Sequence, residues 1–141
     1  MKELIIINGP NLNMLGEREP GKYGVLSLDD IISHTEENLD AQKVKLIWWQ
    51  SNSESKIIDK IQEVSKLKYD ALVINPAAFS HTSIAILDAL KILNIPIIEV
   101  HLTNVYDREH FRHTLLTAKA ASIIMSGLGK DAYLYAIKTQ L

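Results

Sequence analysis

Two ionisable side chains, Glu99 and His101, alternate with Ile98 and Val100 in an apolar run. Successive side chains of an extended strand point to opposite faces, so Glu99 and His101 share one face. Burying two ionisable groups costs free energy unless they are paired. A carboxylate beside an imidazole stabilises its protonated form. The spacing therefore predicts a general acid for work near neutral pH, and a purely structural ion pair at a strand end is the alternative.

A long loop carries a second pair, Arg18 and Tyr23. The segment 8–24 spans about 17 residues rich in Asn, Gly and Pro, whereas most connections have about 4–6 residues and longer ones often bind ligands. Lowering a tyrosine pKa from about 10 to neutrality takes about 4 kcal/mol, which a nearby arginine in a dry site can supply. Tyr23 is then a candidate base under a closing lid. Spacing alone favours a packing tyrosine and a solvated arginine.

The other histidines are weaker candidates. His81 is either a ligand donor or the residue before a helix cap. His110 and His113 are spaced for a shared metal ion, but no third ligand is evident nearby, and an exposed helix face is the better interpretation. His34 lies among polar helical residues and is expected to be solvated.

Two arginines and one aspartate complete the charged candidates. Arg108 and Arg112 are four residues apart on one face, where they either clamp a carboxylate or pair with surface acids. Asp88 interrupts the apolar side of a predicted helix beside Leu87. A buried carboxylate needs a partner, so a contact between subunits is plausible for Asp88.

Apolar runs alternate with helical patterns along the chain. Such alternation indicates parallel strands with helices on both faces of the sheet. It predicts the α/β class, a flavodoxin-like doubly wound five-stranded sheet in the order 2-1-3-4-5. The predicted strands are Leu4–Ile7, Val44–Trp49, Ala71–Ile74, Ile95–Leu102 and Ala121–Met125.

Five helical segments are predicted between and after the strands. Ser27 and Asp30 have the spacing of a capping box that opens the first helix. Apolar positions three and four residues apart mark the second and third helices, and the third is expected to end near Asn94. The apolar positions are Ile31, Ile32 and Leu39, then Ile57, Ile58, Ile61 and Val64, then Ile84, Leu87, Leu90 and Leu93. The segments Glu109–Thr117 and Ala132–Leu141 are also predicted to be helical.

Polar residues follow each predicted strand. In an open parallel sheet, ligands bind outside the carboxyl ends of the strands, near the change in strand order. The segments past the strands, 8–13, 50–52, 75–81, 101–104 and 126–129, bring amides, hydroxyls and histidines to one edge. The sequence therefore predicts a site for a small polar molecule at this edge.

Size and composition narrow the class of protein. The 141 residues predict one domain, 1–141. A net charge of −2 gives no sign of a nucleic-acid partner. The chain shows no secretion signal or membrane-spanning run, so a cytoplasmic protein is expected. It has no cysteine, which excludes disulfides and thiolate chemistry.

Four long motifs follow one another along the chain: N-G-P-N-L-N-M-L-G-E-R-E-P-G-K-Y-G (8–24), N-P-A-A-F-S-H-T-S-I-A-I-L-D-A-L (75–90), E-V-H-L-T-N (99–104) and R-E-H-F-R-H (108–113). In order and across essentially the whole chain, they resemble the type II 3-dehydroquinate dehydratases. The resemblance implies a flavodoxin-like enzyme of the shikimate pathway that removes water from 3-dehydroquinate by anti elimination. It also implies a homododecamer, a tetramer of trimers. A biosynthetic role toward aromatic compounds and a catabolic role from quinate both fit.

The resemblance also implies roles for individual residues. Tyr23 resembles the base that removes the C2 proton, with Arg18 stabilising its phenolate, and Asn11 resembles the residue that holds a water against the enolate. His101, oriented by Glu99, resembles the acid that protonates the leaving hydroxyl. The substrate-binding positions are matched by Asn75, His81, Leu102, Thr103 and Arg112, and Asp88 matches a residue that reaches a neighbouring subunit's site.

The residues fit this assignment with neither a metal nor a cofactor, because the substrate ketone already acidifies the C2 proton. No lysine is obviously buried, so a Schiff-base mechanism lacks a candidate. Thr103 replaces a commoner serine, and the stretch Thr114–Ser122 resembles the family less.

Three other classes of protein are rivals to this assignment. A phospho-receiver domain needs acidic residues where this chain has Asn8 and Asn75, which excludes it. A flavin carrier and a catalytically inactive assembly subunit remain as rivals.

Overall fold

The structure is a computed structural model that describes residues 1–17 and 26–141. Its centre is a sheet of five parallel strands in the order β2-β1-β3-β4-β5. The strands are β1 (Lys2–Asn8), β2 (Val44–Gln50), β3 (Ala71–Asn75), β4 (Ile97–His101) and β5 (Ile123–Ser126). The predicted α/β class, the flavodoxin-like architecture and the strand order are confirmed.

Four α-helices lie within the described ranges: α1 (Leu28–Glu37), α2 (Glu54–Ser65), α3 (Ile84–Leu90) and α4 (Ala132–Lys138). The predicted capping box opens α1, where Ser27 Oγ accepts a bond of 3.1 Å from Asp30 N and the Asp30 carboxylate accepts one of 3.0 Å from Ser27 N. Ser53 and Ser83 cap α2 and α3 through their hydroxyls. These caps satisfy amides that would otherwise lack partners at the helix N-termini.

Because side chains alternate along β1, this strand contributes residues to the core layers on both faces of the sheet. Leu4 and Ile6 face the layer of α1 and α4, whereas Ile5 and Ile7 face the layer of α2 and α3. All four are fully buried. Burial of each such side chain contributes about 1.5–3 kcal/mol, so the central strand anchors helices on both sides of the sheet.

The predicted helix Glu109–Thr117 is wrong. This part of the chain instead forms two 3₁₀ turns, His110–His113 and Thr117–Ala120. Thr114 between them is extended, and Leu116 N donates to Ser80 O at 2.7 Å rather than to a carbonyl one helical turn earlier. Bonds to a neighbouring segment replace the helical ladder.

The third helix is shorter than predicted. Helix α3 ends at Leu90 rather than near Asn94, because Ile92 N and Leu93 N bond three residues back and tighten the chain into turns. Ile84, expected on its apolar face, is 61% exposed. Within the described ranges no helix combines the length and apolar character needed to span a bilayer.

Candidate active site

A cavity of about 150 Å³ opens at the carboxyl edge of the sheet, beside the ends of β1, β3 and β4. The parallel register places these strand ends side by side, with Asn8 opposite Asn75. Seven residues proposed from the sequence line the cavity: Asn11, Asn75, His81, His101, Leu102, Thr103 and Arg112. The chain thus brings segments from residue 11 to residue 112 to one polar cavity.

Glu99 and His101 form a buried pair at this cavity. His101 Nε2 and Glu99 Oε2 are 2.8 Å apart, and the Glu99 side chain is fully buried. The other carboxylate oxygen, Oε1, accepts a bond of 2.5 Å from the hydroxyl of Thr117. Both oxygens therefore have donors, as buried carboxylates require. The shared face expected from the strand period is confirmed, and His101 is the member of the pair that lines the cavity.

His81 faces His101 across the cavity, and the two ring centroids are 6.4 Å apart with the planes inclined by 27°. His81 Nδ1 donates to the carbonyl oxygen of Thr114 at 3.0 Å. Burial lowers the pKa of His81 below its ordinary 6.5, and the nearby cations His101 and Arg112 lower it further, against the effects of the Thr114 carbonyl and of Glu99. The neutral ring, with its proton on Nδ1, leaves Nε2 as an acceptor.

Tyr133 of α4 lies beneath the edge and joins two strand ends. Its hydroxyl donates to Asn8 Oδ1 and accepts a bond of 3.1 Å from Asn75 Nδ2. Asn75 Oδ1 in turn accepts from Ala77 N at 3.1 Å. The Asn75 amide is thus fixed in orientation, with one N–H hydrogen beyond the bond to Tyr133.

Two backbone features bring the edge loops together. A side chain on Gly9 would place its Cβ 2.5 Å from the carbonyl oxygen of Pro76, so the close approach requires glycine. Asn11 and Ala77 adopt left-handed backbone conformations, with φ of 69° and 52°. Such strain costs about 1–3 kcal/mol for a residue with a side chain and clusters at functional sites, and both residues line this cavity.

Arg108 and Arg112 both line the cavity. Arg112 Nε donates to Glu109 Oε2 at 2.6 Å, and its guanidinium stacks on Phe111 with 5.2 Å from Cζ to the ring centroid. A guanidinium carries five N–H donors, so this ion pair leaves donors for a carboxylate in the cavity.

Asp88 does not line this cavity. It is exposed on α3, so the expectation that it interrupts a buried apolar side is wrong for the single chain. The helix turns its neighbours Leu87 and Ala89 inward instead. Arg18 and Tyr23 lie outside the described residues.

Neither His34 nor the pair His110 and His113 lines the cavity. His34 is not simply solvated, because its Nε2 bonds to Asp131 Oδ1 at 2.7 Å and joins α1 to the start of α4. This hydrogen bond, assisted by the positive charge of Lys130, lowers the pKa of Asp131. Within 1–17 and 26–141, no group of three or more His, Cys, Asp and Glu residues could hold a metal ion, His110 and His113 included.

Tyr133 and Thr117 contribute to the site but were missed in the sequence. Tyr133 stands among apolar residues of the last helix, where a tyrosine normally indicates packing. Thr117 fell at the end of a wrongly predicted helix. Each hydroxyl meets its partner only through the tertiary fold, so no local pattern could have indicated either residue.

An open parallel sheet with a buried carboxylate–imidazole pair beside a polar cavity at its carboxyl edge is the arrangement of an α/β enzyme that acts on small polar molecules. The family model described as dehydroquinase class II matches residues 2–141. The chain belongs to the class II dehydroquinase family.

Relatives match over nearly the whole chain. The 3-dehydroquinate dehydratase of Clostridium botulinum is 50% identical over 138 residues, which cover 98% of this chain and 93% of that protein. The crystal structure of type II dehydroquinase from Butyrivibrio crossotus has a TM-score of 0.94 at 40% identity and covers 99% of this chain and 97% of that one. That of Propionibacterium acnes has a TM-score of 0.92 at 37% identity, with 99% and 95% covered.

Proposed function

We propose that this protein dehydrates 3-dehydroquinate to 3-dehydroshikimate by anti elimination through an enolate, as an enzyme of the shikimate pathway. The observation that carries the proposal is the buried Glu99–His101 pair at the wall of a cavity lined by amides and two guanidinium groups. Family membership over residues 2–141 supports the substrate. The cavity is polar enough for a small polyhydroxylated acid.

The first step breaks the C2–H bond. The C3 ketone acidifies this proton, and Tyr23, ionised with the help of Arg18, takes it as a base. The electron pair moves into the enolate, whose oxygen is stabilised by a water molecule held by Asn11. Asn11 supports this role by its position in the cavity wall. No metal or cofactor takes part in the proposed reaction.

The second step breaks the C1–O bond. The enolate returns its electron pair to form the C1–C2 double bond, and His101 donates a proton to the leaving hydroxyl, which departs as water. Glu99 stabilises the protonated imidazole through the 2.8 Å contact. Proton exchange with solvent then resets Tyr23 and His101, so atoms and charge balance over the cycle.

The remaining cavity residues hold the substrate. Arg112 and the backbone at Leu102 and Thr103 bind the carboxylate, since guanidinium and amide N–H groups are strong donors to anions. Asn75 donates its remaining N–H hydrogen, and neutral His81 accepts from a substrate hydroxyl through Nε2. These groups come from the end of β3, from the segments that follow β3 and β4 and from the 3₁₀ turn His110–His113, and together they fix the ring relative to His101.

The functional protein is a homododecamer in this proposal, and Asp88 reaches the site of a neighbouring subunit. The exposure of Asp88, together with 61% exposed Ile84 on the same helix, supports a contact surface there. Sedimentation velocity distinguishes twelve 15.9 kDa chains from one. Mixing Asp88→Ala subunits with His101→Ala subunits should restore activity at composite sites, and mixtures as inactive as either variant would exclude the shared site.

The decisive experiment follows the ultraviolet absorbance of the conjugated enone as purified protein acts on 3-dehydroquinate. The wild-type chain should produce it, and Tyr23→Phe should abolish turnover while the protein stays folded and oligomeric. Tyr69→Phe, at the opposite edge of the sheet, is the matched control and should keep activity. A wild-type protein that forms no enone would overturn the proposed function, and an active Tyr23→Phe variant would overturn only the assignment of the base.

A further inference from the structure

We propose that the short segment from Thr114 to Thr117 positions both histidines of the site, with Thr117 as a positioning residue that acts through Glu99. This inference rests on the proposed function, because it assigns His101 and His81 to the same reaction. Thr117 does not line the cavity. Its effect on chemistry must therefore pass through its hydrogen-bond partner.

The first support is the bond between Thr117 and Glu99. Thr117 Oγ1 donates to Glu99 Oε1 at 2.5 Å, and both residues are 0% exposed. Glu99 Oε2 is used by His101 at 2.8 Å. Two donors at opposite oxygens fix the carboxylate plane, and therefore the direction in which it holds the imidazole. Water cannot readily replace either donor, since the carboxylate is fully buried.

The second support is that the same segment holds the facing histidine. The Thr114 carbonyl accepts from His81 Nδ1 at 3.0 Å, and Leu116 N donates to Ser80 O at 2.7 Å. The bond to the Thr114 carbonyl sets the tautomer of His81. The bond between Leu116 N and Ser80 O ties the residue before His81 to the same segment. The His81 ring cannot flip without losing its hydrogen bond to the Thr114 carbonyl.

These bonds link the two rings through one piece of chain. His81 and His101 are held with centroids 6.4 Å apart, although they come from the segments after β3 and at the end of β4. The extended Thr114 places its carbonyl toward His81, and the 3₁₀ turn that begins at Thr117 places a hydroxyl toward Glu99. The absence of a regular helix here is what allows a backbone group and a side chain so close in sequence to serve both rings.

Thr117→Val tests the proposal, because it removes the hydroxyl and keeps the branched shape. We expect kcat to fall about 10- to 100-fold, since small misplacements of a reacting group have effects of that size, while KM changes by less than about threefold. Thr117→Ser keeps the hydroxyl and should restore kcat to near the wild-type value. A Thr117→Val enzyme with wild-type kcat would overturn the proposal.

The matched control is Thr35→Val. Thr35 is also 0% exposed and donates its hydroxyl to the carbonyl of Ile31 at 2.7 Å, within α1 and away from the cavity. The Thr35→Val substitution should lower thermal stability and leave kcat unchanged. Equal losses of kcat in both variants would show that removing any buried hydroxyl slows the enzyme, and would overturn the specific role of Thr117. If Thr117→Val does not fold, Thr117→Ala, which adds no atom, takes its place.

A double-mutant cycle tests the route through Glu99. If Thr117 acts only through this carboxylate, Thr117→Val should slow a Glu99→Gln enzyme much less than it slows the wild type, because contacting residues that act together are not additive. Strictly additive effects on kcat would refute the route.

A second readout needs no turnover. Deuterium exchange at the ring C2–H of each histidine, followed by mass spectrometry, should change at His101 in Thr117→Val and stay constant at His110, which serves as the internal reference. An unchanged His101 would overturn the positioning role even in a protein that fails to dehydrate 3-dehydroquinate. A wild-type protein that does not convert 3-dehydroquinate would instead contradict the proposed function.

Discussion

The side-chain amide of Asn75 donates a 3.1 Å hydrogen bond to the hydroxyl of Tyr133, 58 positions further along the chain. The same hydroxyl donates to Asn8, so one phenol ties the ends of β1 and β3 to α4. Burial raises the pKa of Tyr133 far above its ordinary value, and the bond from Asn75 only partly opposes this. Tyr133 therefore stays protonated and supports the cavity wall instead of acting as a base.

Replacement of Tyr133 by phenylalanine should weaken both stability and substrate binding. Leaving buried amide groups without a partner costs about 1–3 kcal/mol, and a loosened Asn75 should raise KM about 2- to 10-fold, the worth of one net hydrogen bond. Thermal unfolding and steady-state kinetics measure the two effects. Tyr135→Phe, two residues along the same helix and 48% exposed, is the control. Identical behaviour of the two variants would contradict the role given to Tyr133.

Removal of the imidazole in His101→Ala should lower kcat about 10²- to 10⁴-fold, the range for loss of a general acid. The melting temperature should fall as well, because the buried Glu99 carboxylate loses one of its two donors, so kcat is measured well below that temperature. His34→Ala removes a histidine that is also held by a carboxylate, in the pair between α1 and Asp131, and it should retain full kcat. An undiminished rate for His101→Ala would exclude it as the acid.

Truncation of Arg112 to alanine should weaken substrate binding more than it slows chemistry. A hydrogen bond to a charged group is worth about 1.5–3 kcal/mol, which corresponds to a rise in KM of about 10- to 100-fold. Arg112→Lys should recover only part of the loss, because an ammonium lacks the planar fork of donors. Steady-state kinetics decide the matter, and an unaltered KM would remove Arg112 from the carboxylate clamp.

Acid should destabilise the protein through His81. Its pKa in the folded chain is lowered from 6.5, chiefly by burial and then by the cations His101 and Arg112, so the unfolded chain takes up the proton first as the pH falls. Stability is thus undiminished above about pH 6.5 and declines as the pH falls from there toward the lowered folded value. The lowered pKa of Asp131 affects stability only as the pH falls below its ordinary value of 3.8, outside this window.

The measurement is the melting temperature between pH 7.5 and pH 5 for the wild type and for His81→Asn. The variant lacks the titrating ring, so its melting temperature should fall less steeply with acid. Parallel curves would show that His81 titrates alike in the folded and unfolded chains.

Much of the architecture follows from local pattern. The apolar runs predicted all five strands, and the capping box at Ser27 marked the start of the first helix, because burial periodicity and capping depend on residues near one another in sequence. The helix prediction for the segment after β4 was wrong for the opposite reason. The amide and hydroxyl groups of this segment bond to Ser80 and Glu99, on other elements, and these contacts override local helical preference.

The sequence by itself determined the parallel sheet, its functional edge and the pairing of Glu99 with His101, since a two-residue period on one strand places both on the same face. Only the tertiary structure decided which groups hold that pair and its neighbours. Thr117 meets Glu99 and Tyr133 meets Asn75 across gaps of 18 and 58 residues. Such contacts arise from how separate elements pack, and the demand of buried polar groups for partners selects them only after the chain has folded.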